Sequence, residues 1–281
     1  MPAWATFAGI AGVVLALLIF LAYASQRIVD EPTARAHPAS LETSGSFAPT
    51  PGVSPERELQ LENLEVGDHR YVETERVPGG TTDAERELST GALLANVALT
   101  QGLLGALLLG GLWYTQVPLT AIGVTPLDAG VVATGVGLGL ALAVGNDAVS
   151  VVAERLGAPY AEELRELLAP DSPGEWLLLL ALVLPVIAGF EELLFRGVLI
   201  GGVATGFGVS LWLLAVGSTV VFALGHGAQG RVGILVTGLL GFVLAAAFVL
   251  TGSLFVVIIA HYLVNALEFV LHEGLGIDWT T

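Results

Sequence analysis

The chain contains no cysteine and no lysine. Without cysteine there can be no disulfides and no thiolate chemistry, whether nucleophilic or metal-binding. Without lysine, all ten basic side chains are arginines, set against 26 acids for a formal net charge of −16. No basic stripe is available to neutralise phosphates, so nucleic acid is excluded as a partner. Charge of either sign is scarce, at 13% of residues, where a soluble domain carries about 25%. It is also uneven: residues 24–90 hold half of the 26 acids and six of the ten arginines. Strongly acidic, lysine-free polar parts suit a high-salt cytoplasm, where screening over a few ångströms relieves self-repulsion. A halophilic prokaryote is the expected source.

What remains is apolar. Hydrophobic residues make up 54% of the chain. Residues 2–23 carry no charge and are numerous enough to cross a hydrocarbon core of about 30 Å. A cleaved signal peptide is the rival reading, with Ala22-Tyr23-Ala24 similar to a cleavage site. Against it, no positive n-region is present and the apolar run is too long. Residues 25–90 are rich in Pro, Ser, Thr, Glu and Gly, with too little apolar surface to offset the entropy of ordering. A flexible acidic loop is expected there, with a short helix over 57–62. Six further apolar runs follow, expected near 91–113, 127–144, 176–200, 209–224, 232–250 and 253–271. Glycine recurs in them at Gly105, Gly135 to Gly139 and Gly238 to Gly241, where small residues let helix backbones approach closely.

Backbone polar groups in lipid must be satisfied within each segment. The sequence therefore predicts an all-α fold, a polytopic membrane bundle of about seven transmembrane helices. Its expected divisions are an N-terminal span over 1–24, the polar loop over 25–90 and a six-span core over 91–281. Between the third and fourth spans, residues 158–168 read as an amphipathic surface helix, a connector in preference to a lid. Pro173-Gly174 then breaks the chain before Trp176, an interfacial anchor. With the N-terminus outside and the C-terminus inside, Arg155, Arg165, Arg231 and the arginines of the large loop all become cytoplasmic, which is the preferred orientation.

Ionisable groups inside spans are costly and are by default functional candidates. The fourth span carries Glu191-Glu192-Leu193-Leu194-Phe195-Arg196, the fifth ends at Phe222-Ala223-Leu224-Gly225-His226, and the seventh contains His261-Tyr262-Leu263-Val264-Asn265. Glu192 and Arg196 are four apart and can pair on one helix face. Glu191 points about 100° away and is free for another partner. His261 and Asn265, also four apart, project to one side. Asn146-Asp147, just past the expected end of the third span, and Glu268, seven residues after His261, are candidates to border the same cavity or to serve structure alone.

This inventory suits hydrolysis of an amide. A carboxylate in a low-dielectric site can act as general base on water. A histidine can orient that water or bind a metal, and a second histidine with a carboxamide can hold an oxyanion. No serine or cysteine stands beside these groups, so direct attack by water is simpler than a covalent intermediate. Each residue also has a plain reading: His226 as an interfacial residue, the Glu192–Arg196 pair as a packing lock, Asn265 as interhelical glue. One geometric difficulty remains, because depth counting from the cytoplasmic side puts Glu191 deeper than His226. Convergence requires tilt, a kink at Pro185, or a fourth helix that starts outside the hydrocarbon.

The three runs, Glu191-Glu192-x-x-x-Arg196, Phe222-x-x-x-His226 and His261-x-x-x-Asn265, resemble the three motifs of the CAAX-protease and bacteriocin-processing (CPBP) membrane proteins. Phe195-Arg196-Gly197 closes the first motif in the family's manner, and Thr120-Ala-Ile-Gly-Val124 is similar to another habitual stretch. The resemblance covers about residues 91–271. It implies an intramembrane endopeptidase related to the type II CAAX prenyl endopeptidases, acting on a membrane-anchored or lipidated peptide or protein in the bilayer. By that analogy Glu191 activates water, His226 positions it, His261 and Asn265 stabilise the oxyanion, and Glu192 with Arg196 supports the first motif. The family is often labelled a metalloprotease. This chain has no H-E-x-x-H pair, although Glu191, His226 and His261 could supply three ligands to a divalent metal such as zinc. Two other functions fit the residues less well: a catalytically idle membrane protein that binds or protects a partner, and an ion-coupled transporter, for which no inverted repeat with paired broken helices is evident.

Overall fold

The computed structural model describes residues 1–35, 90–155, 165–166 and 168–277. The expected acidic loop from residue 36 onward, its short helix at 57–62 and most of the surface helix at 158–168 lie outside the described residues. The chain divides into two compact units, Met1–Glu31 with Leu88–Thr281, and Pro32–Glu87; the first carries the bundle.

Among the described residues there is helix and no strand. Seven apolar helices follow one another: α1 (Trp4–Arg35), α2 (Thr90–Thr115), α3 (Ala129–Arg155), α4 (Pro173–Phe207), α5 (Leu211–Gly225), α6 (Gly230–Thr251) and α7 (Leu254–Glu268, continued by a π-turn over Phe269–Gly274). Six are long and apolar enough to cross a membrane, and α5 is shorter. The protein is a multi-pass membrane protein with a polytopic helical bundle. Apolar side chains such as Leu99, Leu103, Val216, Val220, Leu235 and Leu239 face outward, an outer surface that lipid, not water, would solvate.

Three expected boundaries move. The first helix runs on to Arg35, so residues 25–35 are helical and do not belong to the expected loop of 25–90. The third helix runs on to Arg155, so Asn146-Asp147 lie within it and do not cap it. Pro173-Gly174 open α4 instead of breaking the chain. Ser172 is the N-cap, its hydroxyl accepting from the Glu175 amide, and Pro173 occupies the first turn, where its missing N–H costs nothing.

These boundaries resolve the depth problem. At 1.5 Å per residue α4 is roughly 50 Å long, well over the ~30 Å of a hydrocarbon core, whereas α5 reaches only about 22 Å. The fourth helix therefore extends past the core, and α5 ends within the bundle's thickness, which draws His226 inward towards the level of Glu191.

Two close approaches fix the frame. At Gly135 and Gly139 of α3, an added Cβ would lie 2.8 Å from Ile259 Cβ and 2.9 Å from Leu263 Cβ of α7. Only glycine lets those backbones meet. The stretch after α2 makes a tight 3₁₀ turn, Leu119–Ile122, ended by Gly123 at φ 79°, a left-handed conformation that glycine adopts freely. The Gly123 carbonyl accepts from the Leu254 amide at 2.7 Å, and the turn lies so close to Gly201 that a Cβ there would stand 2.6 Å from the Ala121 carbonyl oxygen. Thr120 to Val124 thus staples α4 to the start of α7. On α1, Phe7, Ala11 and Val14 form a buried stripe continuous with Ile122, Phe195 and Phe248.

Candidate active site

The Glu191–Arg196 run sits where α4 leaves ordinary helical geometry, with a wider π-turn over Leu193–Gly202. Such turns are rare and recur at functional sites. Glu191, Glu192, Arg196 and His261 are all buried, at 7%, 0%, 1% and 3% exposure. Isolated charges at that depth would be prohibitive; these are joined.

Glu192 is the junction. Its Oε1 accepts from Arg196 Nη1 at 2.8 Å and from His261 Nδ1 at 2.7 Å. Paired with arginine it is a carboxylate and can only accept, so His261 donates from Nδ1. The other imidazole nitrogen, Nε2, faces Glu191 Oε2 at 3.9 Å. Arg196 also donates from Nη2 to the Gly241 carbonyl of α6 at 2.7 Å, and its guanidinium lies 4.6 Å from the centre of the Phe222 ring, a cation–π contact. Gly241 has to be glycine, since a Cβ would come within 2.8 Å of Phe222 Cδ1.

Phe222 is the apolar hub. Its ring centre is 4.6 Å from that of His226, 5.0 Å from Phe195 and 6.3 Å from His261. Its carbonyl accepts from His226 Nδ1 at 2.9 Å. A carbonyl cannot donate, so the hydrogen is on Nδ1, and in the neutral ring Nε2 carries the lone pair. Ser218, one turn earlier, donates to the Phe195 carbonyl at 2.7 Å and ties α5 to α4. Asn265 stands one turn beyond His261, half-buried, and its carboxamide makes no hydrogen bond to another described residue.

The structure thus brings Glu191, Glu192, Arg196 and His261 together directly and His226 through Phe222. Gln101 on α2 was not anticipated. Its Nε2 donates to Glu191 Oε1 at 3.4 Å, while its own Oε1 is buried without a partner, as are Glu192 Oε2 and Arg196 Nε. A carboxamide in the middle of a largely apolar run, which also holds Asn96 and Thr100, was the signal available for it.

Glu191, His226 and His261 do not form a ready three-ligand metal set. Among the described residues the ligand atoms of Asp147, Glu268 and His272 lie within 4.8 Å of one another, and no other trio of His, Asp and Glu does so. This second cluster sits where α3 meets the end of α7. Asn146 donates to Glu268 Oε2 at 2.9 Å, Arg165 to Glu268 Oε1 at 2.9 Å and to Glu273 Oε1 at 2.6 Å, and His272 Nε2 lies 3.2 Å from Asp147 Oδ1. Burial pulls the Arg165 guanidinium down, but its bonds and charge pairing with Glu273 and Glu268 outweigh that and hold it above its usual range.

Residues 173–267 match the family profile described as type II CAAX prenyl endopeptidase Rce1-like. Through this segment, about a third of its length, the chain is similar to the type II CAAX prenyl endopeptidases. All three family motifs, from Glu191 to Asn265, fall inside the matched segment; Gln101 and Asp147 lie before it, and Glu268 and His272 after it. No curated protein and no solved structure matches the chain. The match supports a protease, and the six long apolar helices support a protein embedded in the membrane.

Proposed function

We propose that the protein is an intramembrane endopeptidase in which Glu191 activates a water molecule for direct attack on a peptide carbonyl. The observation that carries this reading is the Glu191 carboxylate, held between Gln101 and His261 beside, but not within, the Glu192–Arg196 ion pair. Glu192 is committed to structure; Glu191 is free to take a proton.

Glu191 removes one proton from water as the oxygen bonds to the carbonyl carbon. The lone pair on His226 Nε2 accepts the water's second hydrogen and holds it in line. The tetrahedral oxyanion is met by the Asn265 amide and by His261 when both its nitrogens carry hydrogen, one held by Glu192 and the other aimed at substrate. Collapse breaks the C–N bond, and the proton on Glu191 passes to the leaving amine. The products are one carboxylate and one amine, and no covalent enzyme intermediate forms. A metal in this centre would be held from among Glu191, His226 and His261, whose ligand atoms do not all lie within 4.8 Å of one another.

The substrate class is a membrane-anchored or lipidated peptide. A CAAX-type substrate, prenylated near its C-terminus, is the one the family suggests. The ends of α3, α5 and α7 and the starts of α4 and α6 share one end of the bundle, with Arg155, Arg165 and Arg231. That end faces the cytoplasm by the positive-inside tendency, with the N-terminus outside. The acidic, lysine-free chain suits assay in high salt.

The test is a library of membrane-anchored, prenylated and unmodified peptides offered to the purified protein in bilayer discs, with products read by mass spectrometry. Cleavage confined to lipid-bearing peptides supports the reading. Faithful binding of such peptides without any product would instead support a partner-protecting role.

A further inference from the structure

We propose that Asp147, Glu268 and His272 form a divalent-cation site of the zinc or manganese type, separate from the Glu191 centre. Three observations carry it. The first is geometric. The candidate ligand atoms come from two helices, 125 residues apart in the Asp147–His272 pair, and all lie within 4.8 Å of one another. Two ligands at about 2.1 Å from a tetrahedral cation are about 3.4 Å apart, so the cation fits with small side-chain movements. One imidazole with two carboxylates is a donor set for zinc or manganese in preference to magnesium.

The second is charge. Asp147, Glu268 and Glu273 are three carboxylates of which Arg165 answers one, and the side chains of Arg165, Glu268, Glu273, His272 and Asp147 are only 15–22% exposed. With His272 neutral, and counting the described residues alone, the cluster carries a net charge of two negatives that a single divalent cation would cancel. The third is local backbone. His272 lies in the π-turn Phe269–Gly274 that extends α7, and the wider turn aims its ring across to Asp147 on α3. The tight Gly135 and Gly139 seam holds those two helices in place. On binding, the cation takes the position of the hydrogen between His272 Nε2 and Asp147 Oδ1, and the neutral imidazole moves its single hydrogen to Nδ1 through solvent, so no proton is released. A cation there would lock the end of α7, a few turns beyond His261, to α3 and, through Glu268, to Arg165.

The test uses the full, untagged chain, stripped with chelator and titrated in high salt with zinc or manganese alone. Bound metal per chain is read by elemental analysis, and thermal unfolding is followed alongside. The expected result is one cation per chain, a raised unfolding temperature, and binding at least about tenfold weaker in Asp147→Asn and in His272→Gln. The double variant Glu191→Gln/His226→Gln should bind as the parent does. No saturable binding by the parent, equal binding in the Asp147 and His272 variants, or binding lost only in the Glu191/His226 variant would overturn the proposal. Because the readout is metal content and not cleavage, its failure leaves the peptidase reading untouched.

Discussion

His261 Nδ1 lies 2.7 Å from Glu192 Oε1, the same oxygen that takes the Arg196 guanidinium at 2.8 Å. One carboxylate oxygen thus joins the first and third motifs and fixes which face His261 turns towards Glu191. Removing either partner has a distinct signature. Arg196→Ala leaves Glu192, fully buried, without its counter-charge, and should destabilise the protein by roughly 3–5 kcal/mol, seen as a large drop in unfolding temperature in detergent. Glu192→Gln keeps the shape but loses the charge that anchors His261; cleavage should fall by about two orders of magnitude, with a smaller stability change.

Gln101 acts through Glu191. Gln101→Leu removes both the donor to Glu191 Oε1 and the buried acceptor oxygen. A fall in kcat of roughly tenfold or more is expected, since a positioned hydrogen bond to the reacting group is worth about 1.5–3 kcal/mol, with KM for a lipidated peptide nearly unchanged. Gln101→Glu, which restores size but adds a like charge beside Glu191, should not rescue it.

The α3–α7 seam gives a paired comparison on a single helix. Gly139→Ala would set a Cβ 2.9 Å from Leu263 Cβ and 3.0 Å from the Ala260 carbonyl, whereas Gly137→Ala meets nothing within 4 Å. The first should cost about 1–3 kcal/mol and the second should be neutral or slightly stabilising. Thermal unfolding of the two variants in the same detergent distinguishes them.

Much of this was legible in the sequence. The apolar runs announced the bundle because lipid requires continuous apolar helices, and Glu191, Glu192, Arg196, His226 and His261 stood out because charge inside such runs is rare. The i, i+4 spacing predicted the Glu192–Arg196 pair, which forms. What the sequence did not show depends on tertiary geometry. Hydropathy does not mark where a helix of mixed polarity stops, so α3 was read too short at residue 144 and α4 too late at 176. The shortness of α5, which resolves the depth of His226, follows from its meeting α6 at Gly225 to Gly230. Gln101, uncharged and sharing α2 with Asn96 and Thr100, gave only a weak signal, and the Asp147–His272 approach depends on a π-turn that no spacing rule foresees.

The most direct measurement is single-turnover cleavage of a prenylated, membrane-anchored peptide by the wild-type protein and by Glu191→Gln, both in bilayer discs and both checked for unchanged unfolding temperature. The account predicts one carboxylate and one amine product from the wild type, no covalent adduct on the protein, and a rate reduced by about 10²–10⁴-fold in Glu191→Gln. Equal rates for the two proteins, or an acyl adduct trapped on the wild type, would contradict it.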